Sequence, residues 1–275
     1  MLYLRDDFQQ VWKGKDPFEE VEKLQGEVYR ELDGRRTLRF EFNDKTYFAK
    51  IHRGIGWGEI AKNFLQLKKP IYGAENEWLA LAKLNAIGVE TMTPVAFGEK
   101  GGNPAAQHSF IITEDLTPSI SLEDFCADWV SNKPNWVLKN ALVNKLANIT
   151  RLLTEHGVTH RDYYICHFLL DLSKGRDGLA PDDLTTWLID LHRAVIKAEK
   201  NWRWQVKDVG SLYFSAMDIG LTRNDLFRFM KIYSKASLRD ALKKDERFWR
   251  AVTKRAVSLY QKDNAGKMPV LMIGR

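Results

Sequence analysis

Two acidic side chains in apolar surroundings carry the chemistry of this chain: Asp162 in the run THRDYYICHFLL, residues 159–170, and Asp190 in Leu188-Ile189-Asp190-Leu191-His192. A His-Arg-Asp turn entered from a helix can hold one carboxylate where it takes the proton of an attacking hydroxyl. A later Asp at the end of an apolar strand can hold a divalent ion against the phosphates of a nucleotide. The chemistry of such a pair is phosphoryl transfer, which asks a protein for positioning and positive charge more than for covalent work. Asp162 follows a helical pattern that ends at Gly157, so rigid structure carries it; an Asp in an ordinary turn is the bland alternative. Asp190 closes the buried-strand pattern Thr186-Trp187-Leu188-Ile189, where a carboxylate is costly unless something positive meets it. Mg²⁺ would, and so would a salt bridge to Arg193 or Arg161.

The rest of the site must come from the first part of the chain. Lys50 ends the strand pattern Tyr47-Phe48-Ala49-Lys50 and would reach the α- and β-phosphates of ATP. Its partner is expected on the next helix, with Glu77 preferred to Glu75. The turn Asp33-Gly34-Arg35 stands where a glycine-rich flap over the phosphates would be, with Gly34 as its one glycine and Arg35 and Arg36 supplying charge in place of close backbone approach. As a hairpin turn it needs no function. The strand 110–116 would bring the backbone of Glu114 to Leu116 against the adenine. His167, five residues after Asp162, is either a weak metal or phosphate contact or a brace for the loop.

The elements that position these groups follow from periodicity. Asp16-Pro17 opens a helix with Phe18, Val21 and Leu24 on one face, Pro being suited to the first turn. Turn signals at Asp33-Gly34 and Asn43-Asp44 separate three period-two segments and predict a meander. A helix over 74–85 ends before Gly88, and 92–97 and 109–113 add two strands. Beyond Asp115 the pattern turns helical: 122–130, 136–156, 206–217, 224–233, and 238–260 with a break. Residues 173–183 read as a solvated loop. A β-rich part followed by a helix-rich part predicts an α+β fold, with an N-lobe over 1–115 and a C-lobe over 116–275 holding the catalytic loop and metal site.

At 275 residues, 44% hydrophobic and 12% aromatic, the chain can bury two cores. No run of about 18 apolar residues and no secretory leader is visible, which predicts a cytoplasmic protein. Cys126 and Cys166, the only cysteines, cannot build a disulfide framework or a four-thiolate metal site. A net charge of +6 points to an anionic partner. No nucleic-acid motif accompanies it, and nucleic acid is not expected. Between Ile55 and Gly73, Trp57, Ile60, Ala61, Phe64 and Leu67 share one helical face edged by Lys62, Lys68 and Lys69. That profile suits an interfacial helix or a helix packed on the first lobe.

These residues resemble the protein-kinase-like superfamily, and more closely the lipopolysaccharide core heptose(I) kinases of Gram-negative bacteria. The likeness rests on ELDGRRTLRFE, SFIITEDLTPSISLEDFCADW, HRDYYICHFLL, IDLHRA and LYFSAMDIGLT, and it covers nearly the whole chain. The resemblance implies a two-lobed kinase-like fold and ATP-dependent phosphorylation of the first inner-core heptose, at its 4-hydroxyl, on a lipid-anchored lipopolysaccharide acceptor. It implies a peripheral position at the cytoplasmic face of the inner membrane, Mg²⁺, and acyl carrier protein as a candidate partner; the imidazole of His167 adds Mn²⁺ as an alternative ion. The chain departs from the protein-kinase pattern in several places. His167 stands for the metal-binding Asn, Tyr164 for a Lys, and Asp190-Leu191-His192 for Asp-Phe-Gly. No Ala-Pro-Glu segment follows. The short segment after Asp190 favours a small-molecule or glycolipid acceptor. Kinases for an aminoglycoside, another core sugar or protein tyrosine, and a non-catalytic binding module, are the competing classes.

Overall fold

The computed structural model describes residues 1–32, 34–54, 56–58, 65, 73–103, 105–197 and 201–269. They form two compact units. The first comprises Met1–Lys83, Met92–Leu116 and Leu191–Arg193; the second comprises Leu84–Thr91, Thr117–Asp190 and Ala194–Arg275.

The first unit is built on a six-stranded antiparallel sheet. In chain order its elements are β1 (Leu2–Leu4), α1 (Asp6–Val11), α2 (Pro17–Glu22), β2 (Glu27–Leu32), β3 (Arg35–Phe42), β4 (Lys45–His52), β5 (Pro94–Lys100) and β6 (His108–Glu114). The sheet order is β1-β5-β6-β4-β3-β2. The expected meander is present because its turns have the right chemistry. Asn43 and Asp44 both take positive φ, 49° and 57°, the tolerance that lets Asn and Asp close a two-residue hairpin. Helix α2 begins as its sequence asks: Asp16 Oδ1 accepts from the Phe18 amide at 2.9 Å, and Pro17 occupies the first turn. Phe18 and Val21 enter a core with Phe8, Leu38, Phe40, Tyr47, Phe110 and Ile112. Strand β1 and helix α1 were not expected; both are short, and they form because β1 pairs with β5 and Phe8 is buried. Strand β4 also runs past Lys50 to His52, so Lys50 is held between β3 and β6 instead of ending a strand.

Helix α3 (Glu75–Ala86) follows the expected 74–85 pattern. Gly88, at φ 74°, ends it, and the Val89 amide returns to the Leu84 carbonyl at 2.9 Å.

The second unit contains β7 (Ser119–Ser121), α4 (Leu122–Phe125), α5 (Trp136–Glu155), β8 (Val158–Thr159), β9 (Phe168–Asp171), β10 (Thr186–Leu188), β11 (Val195–Ile196), α6 (Trp202–Ser215), α7 (Arg223–Tyr233), α8 (Leu238–Lys244) and α9 (Glu246–Asp263). Its strands make a β10-β9-β7 sheet and a β11-β8 pair. Two expectations are corrected here. The helix expected over 122–130 stops at Phe125: the amides of Ala127, Trp129 and Ser131 bond three residues back, Trp129 to Cys126 at 3.1 Å, so the chain tightens into turns. Helix α6 begins at Trp202, ahead of the expected Val206, because the Asn201 side chain caps the Trp204 amide at 3.2 Å. The expected break within 238–260 falls at Asp245. Among the described residues no helix is long and apolar enough to cross a membrane. The amphipathic pattern proposed between Ile55 and Gly73 lies almost wholly outside the described residues.

Candidate active site

Helix α5 and Gly157 deliver the chain to β8 and then to the turn His160-Arg161-Asp162. At Gly157, φ is 68° and a Cβ would lie 1.9 Å from the Lys197 carbonyl oxygen, so only glycine fits. The turn is fixed through its backbone. Buried Asp208 of α6 accepts the His160 amide on Oδ2 at 2.7 Å and the Arg161 amide on Oδ1 at 3.0 Å. Farther on, the Ile165 amide donates to Ser215 Oγ at 2.9 Å, and the Tyr163 hydroxyl meets Thr150 Oγ1 of α5 at 2.9 Å. Arg161, directly before Asp162, sits at φ 75°, and Asp190 at φ 61°. Left-handed backbone at two non-glycine residues persists only where the surroundings over-determine it, and such strain gathers at functional sites.

His167 ties the two acidic stations together. Its Nδ1 lies 2.6 Å from the Asp162 carbonyl oxygen, which can only accept, so Nδ1 carries the proton. Nε2 lies 3.6 Å from Asp190 Oδ2. Strand β10 stops at Leu188, two residues short of the strand end expected at Asp190, and is held on both edges. On one side β10 pairs with β9, the Ile189 amide donates to the His167 carbonyl at 3.0 Å, and His160 Nε2 donates to the Ile189 carbonyl at 2.8 Å. On the other, the Leu188 amide donates to the Glu90 carbonyl at 3.0 Å and Thr91 Oγ1 to the Leu188 carbonyl at 2.6 Å. Burial drives the His160 imidazole down to about 4, so it serves this bond as a neutral ring.

An imidazole nitrogen and a carboxylate oxygen at this separation could share a cation. The donor set, one imidazole nitrogen and one carboxylate, fits a divalent ion that completes its shell with phosphate oxygens and water; the nitrogen suits Mn²⁺ better than Mg²⁺. Among the described residues no group of three or more His, Cys, Asp or Glu side chains could hold a metal ion alone.

In the first unit Lys50 Nζ donates to Glu77 Oε1 at 2.6 Å, and Glu77, 1% exposed, is the helix carboxylate that was preferred to Glu75. Gly34, at φ 77°, lies in a hairpin turn whose Cβ position would be 2.1 Å from the Gly54 carbonyl oxygen; its own carbonyl accepts the Arg53 amide at 2.7 Å. It is a tight turn held against Gly54. At the end of β6 the Glu114 amide donates to the Thr93 carbonyl at 2.9 Å and the Asp115 amide to Thr46 at 3.0 Å, while Arg5 and Arg39 pair with the two carboxylates. Leu116 follows directly.

Asp208 was absent from the sequence expectations. Its signal was an Asp set between Val206, Val209 and Leu212 on a helix, a charge where the apolar face requires a reason. Burial pushes its carboxyl up to about 7, opposed by the two amides it accepts. Asp208→Asn would turn an N–H donor toward one of those amides. The expected result is a loss of about 1–3 kcal/mol in unfolding free energy with a lower kcat, measured by denaturant titration and initial rates.

A lysine on a central strand paired to a helix glutamate, together with a backbone-clamped His-Arg-Asp turn and a strand-end Asp, defines a protein-kinase-like phosphotransferase. The chain belongs to the lipopolysaccharide kinase (Kdo/WaaP) family, whose model matches residues 19–233. It is 52% identical over 247 residues to the lipopolysaccharide core heptose(I) kinase WaaP of Escherichia coli, covering 90% of this chain and 92% of that one. It is 50% identical over 261 residues to the WaaP of Pseudomonas aeruginosa strain PAO1, covering 95% and 96%. A solved structure of WaaP in complex with acyl carrier protein superposes with a TM-score of 0.82 at 45% identity, covering 94% of this chain and 99% of that one. Membership of this family makes the chain a kinase that uses ATP.

Proposed function

We propose that this kinase transfers the γ-phosphate of ATP to the 4-hydroxyl of the first heptose of the lipopolysaccharide inner core. The observation that supports this best is the His167 bridge between the Asp162 turn and the Asp190 carboxylate, joined to half-identity with heptose(I) kinases over nine-tenths of the chain. In this reading residues 1–115 bind nucleotide and 116–275 carry catalysis. Asp162 orients the sugar hydroxyl and accepts its proton as the new O–P bond forms. Lys50, held straight by Glu77, bonds the α- and β-phosphates. The Glu114 carbonyl and the Leu116 amide address adenine, since the amides of Glu114 and Asp115 are already engaged. Gly34 lets the β2–β3 turn lie close above the phosphates. Asp190 and His167 hold the divalent ion, Mg²⁺ or Mn²⁺, which when bound neutralises charge on the transferring group.

The acceptor is lipid-anchored, so the protein works at the cytoplasmic face of the inner membrane as a peripheral enzyme, its +6 charge drawing it to anionic headgroups. Acyl carrier protein, an acidic protein found with a relative, is a fitting partner. The second unit holds an apolar cavity of about 500 Å³, lined among others by Leu142, Leu146, Leu212, Phe229 and Trp249, within the range that takes a small ligand and suited to an acyl chain. The test of the function is an assay with core lipopolysaccharide lacking heptose phosphate, beside aminoglycoside and tyrosine-peptide acceptors. Metal-dependent ATP consumption is expected with the lipopolysaccharide alone, with the new phosphate located on the first heptose by mass spectrometry. Transfer to another acceptor in preference to it would overturn the assignment.

A further inference from the structure

Side chains along β3 and β4 alternate between the two faces of the sheet, and residues paired across the ladder share a face. Arg35 pairs with His52, Thr37 with Lys50 and Leu38 with Ala49. Leu38, Phe40, Ala49 and Ile51 enter the core with Phe8 and Phe110, so Arg35, Thr37, Lys50 and His52 share the other face, where Glu77 of α3 meets Lys50. The register also separates the two arginines expected to bring charge to the turn. Arg36 pairs with Ile51 on the core side, where its guanidinium meets Glu31 Oε2 at 3.6 Å and the Glu22 carbonyl at 3.5 Å. We propose that Arg35 is a second phosphate-binding residue, its guanidinium taking the terminal phosphates of the nucleotide while Lys50 takes the inner ones. The inference deepens the kinase reading above and rests on its assignment of Lys50 to the α- and β-phosphates.

Three arguments carry it. The first is position. Arg35 and Lys50 are diagonal neighbours across two paired strands, a spacing of about 7–8 Å that long side chains span, so one polyphosphate can touch both. The backbone of Arg35 is fixed. It directly follows Gly34, whose carbonyl accepts the Arg53 amide at 2.7 Å and whose Cβ position would lie 2.1 Å from the Gly54 carbonyl oxygen. A guanidinium carried on such a strand start is held at a set distance from its neighbour, which lowers the ordering cost of binding.

The second is charge balance. Lys50 Nζ donates to Glu77 Oε1 at 2.6 Å, so the pair is close to neutral and a triphosphate brought to it needs positive charge from another side chain. Arg35 offers that charge on the same face. Its forked N–H donors match phosphate oxygens in pairs, which a lysine ammonium cannot do.

The third is the local field. His52, 3% exposed, is pushed down to about 3, first by burial and then by Arg35, Lys50 and His192. Basic side chains from β3, β4 and the segment Leu191–Arg193, all in the first unit, thus converge on one point of the face. Like charges gathered in this way attract an anion and raise its local concentration.

The test uses the full-length protein without acceptor. ATP and AMP, each with Mg²⁺, are titrated calorimetrically against wild type, Arg35→Gln, Arg35→Lys and Lys50→Ala. Wild type should bind ATP more tightly than AMP. Arg35→Gln should weaken ATP by about tenfold or more, tenfold being 1.4 kcal/mol, and leave AMP unchanged, since AMP lacks the terminal phosphates; its binding also reports that the variant is folded. Arg35→Lys keeps the charge without the fork and should recover part of the loss. An equal loss for both nucleotides, or an ATP affinity within about twofold of wild type, overturns the proposal. If Arg35→Gln keeps the preference for ATP while Lys50→Ala loses it, Arg35 fails and the kinase reading stands. A wild type with no preference for ATP over AMP, or a Lys50→Ala variant that binds ATP as wild type does, overturns the assignment of Lys50 and this proposal with it.

Discussion

Asp162→Ala is expected to lower kcat by about 10²–10⁴-fold, the usual worth of a positioned general base, while the dissociation constant for ATP changes little. The separation of these effects follows from how the loop is held. Asp208 holds two amides of the His160-Arg161-Asp162 turn and His167 Nδ1 the Asp162 carbonyl, bonds that do not use the Asp162 side chain. Removing the Asp162 side chain therefore deletes the carboxylate and leaves these three bonds in place. Nucleotide affinity is assigned to Lys50, Glu77 and the 114–116 segment. Rates of phosphate incorporation into core lipopolysaccharide measure the first quantity and calorimetric titration with ATP analogues the second. A variant rate within about tenfold of wild type would remove Asp162 from the role of base. Asp162→Asn, nearly isosteric, should match the alanine variant if proton acceptance is the function, because an amide cannot take the proton.

The parts of this protein legible in its sequence are those whose cause is local. Asn43-Asp44 states a hairpin because those residues accept positive φ, and Asp16-Pro17 states a helix start because a cap and a preset φ lie side by side. Of the two candidates, Glu77 and Glu75, Glu77 is the carboxylate that meets Lys50. What escaped depends on distant partners. Strand β1 has three residues and exists because β5 offers it an edge. The two-edged support of β10 draws on Glu90 and Thr91, from the segment after α3, and no local pattern announces that pairing. Asp208 was visible as a misplaced charge, but its meaning required two amides from a segment 47 and 48 residues away. His167 was read with two alternatives, ligand or brace. Its Nδ1 braces the loop, and its Nε2 faces the carboxylate, so one ring is placed for both tasks.

That double placement makes His167 and Asp190 the source of the second large effect. Asp190→Asn should lower kcat/KM by about 10²–10³-fold, the cost of removing one preorganised electrostatic contact from a transition state, and raise the metal concentration needed for half-maximal rate. The amide keeps the shape of the side chain, and β10 remains held by Glu90, Thr91, His160 and His167, so the loss belongs to the charge. His167→Asn is more selective. An amide oxygen in place of an imidazole nitrogen exchanges a borderline ligand for a hard one and should shift the preference toward Mg²⁺ over Mn²⁺. It also deletes the bond to the Asp162 carbonyl, which should lower kcat with either metal. Rate curves against Mg²⁺ and Mn²⁺ for the three proteins separate these contributions: a change in half-saturation reports ligation, and a common fall in the plateau reports bracing. If both metals titrate identically in wild type and His167→Asn while the plateau falls, His167 acts only as a brace and Asp190 holds the ion without it. If Asp190→Asn keeps wild-type metal dependence, the ion is held elsewhere and the assignment of Asp190 fails.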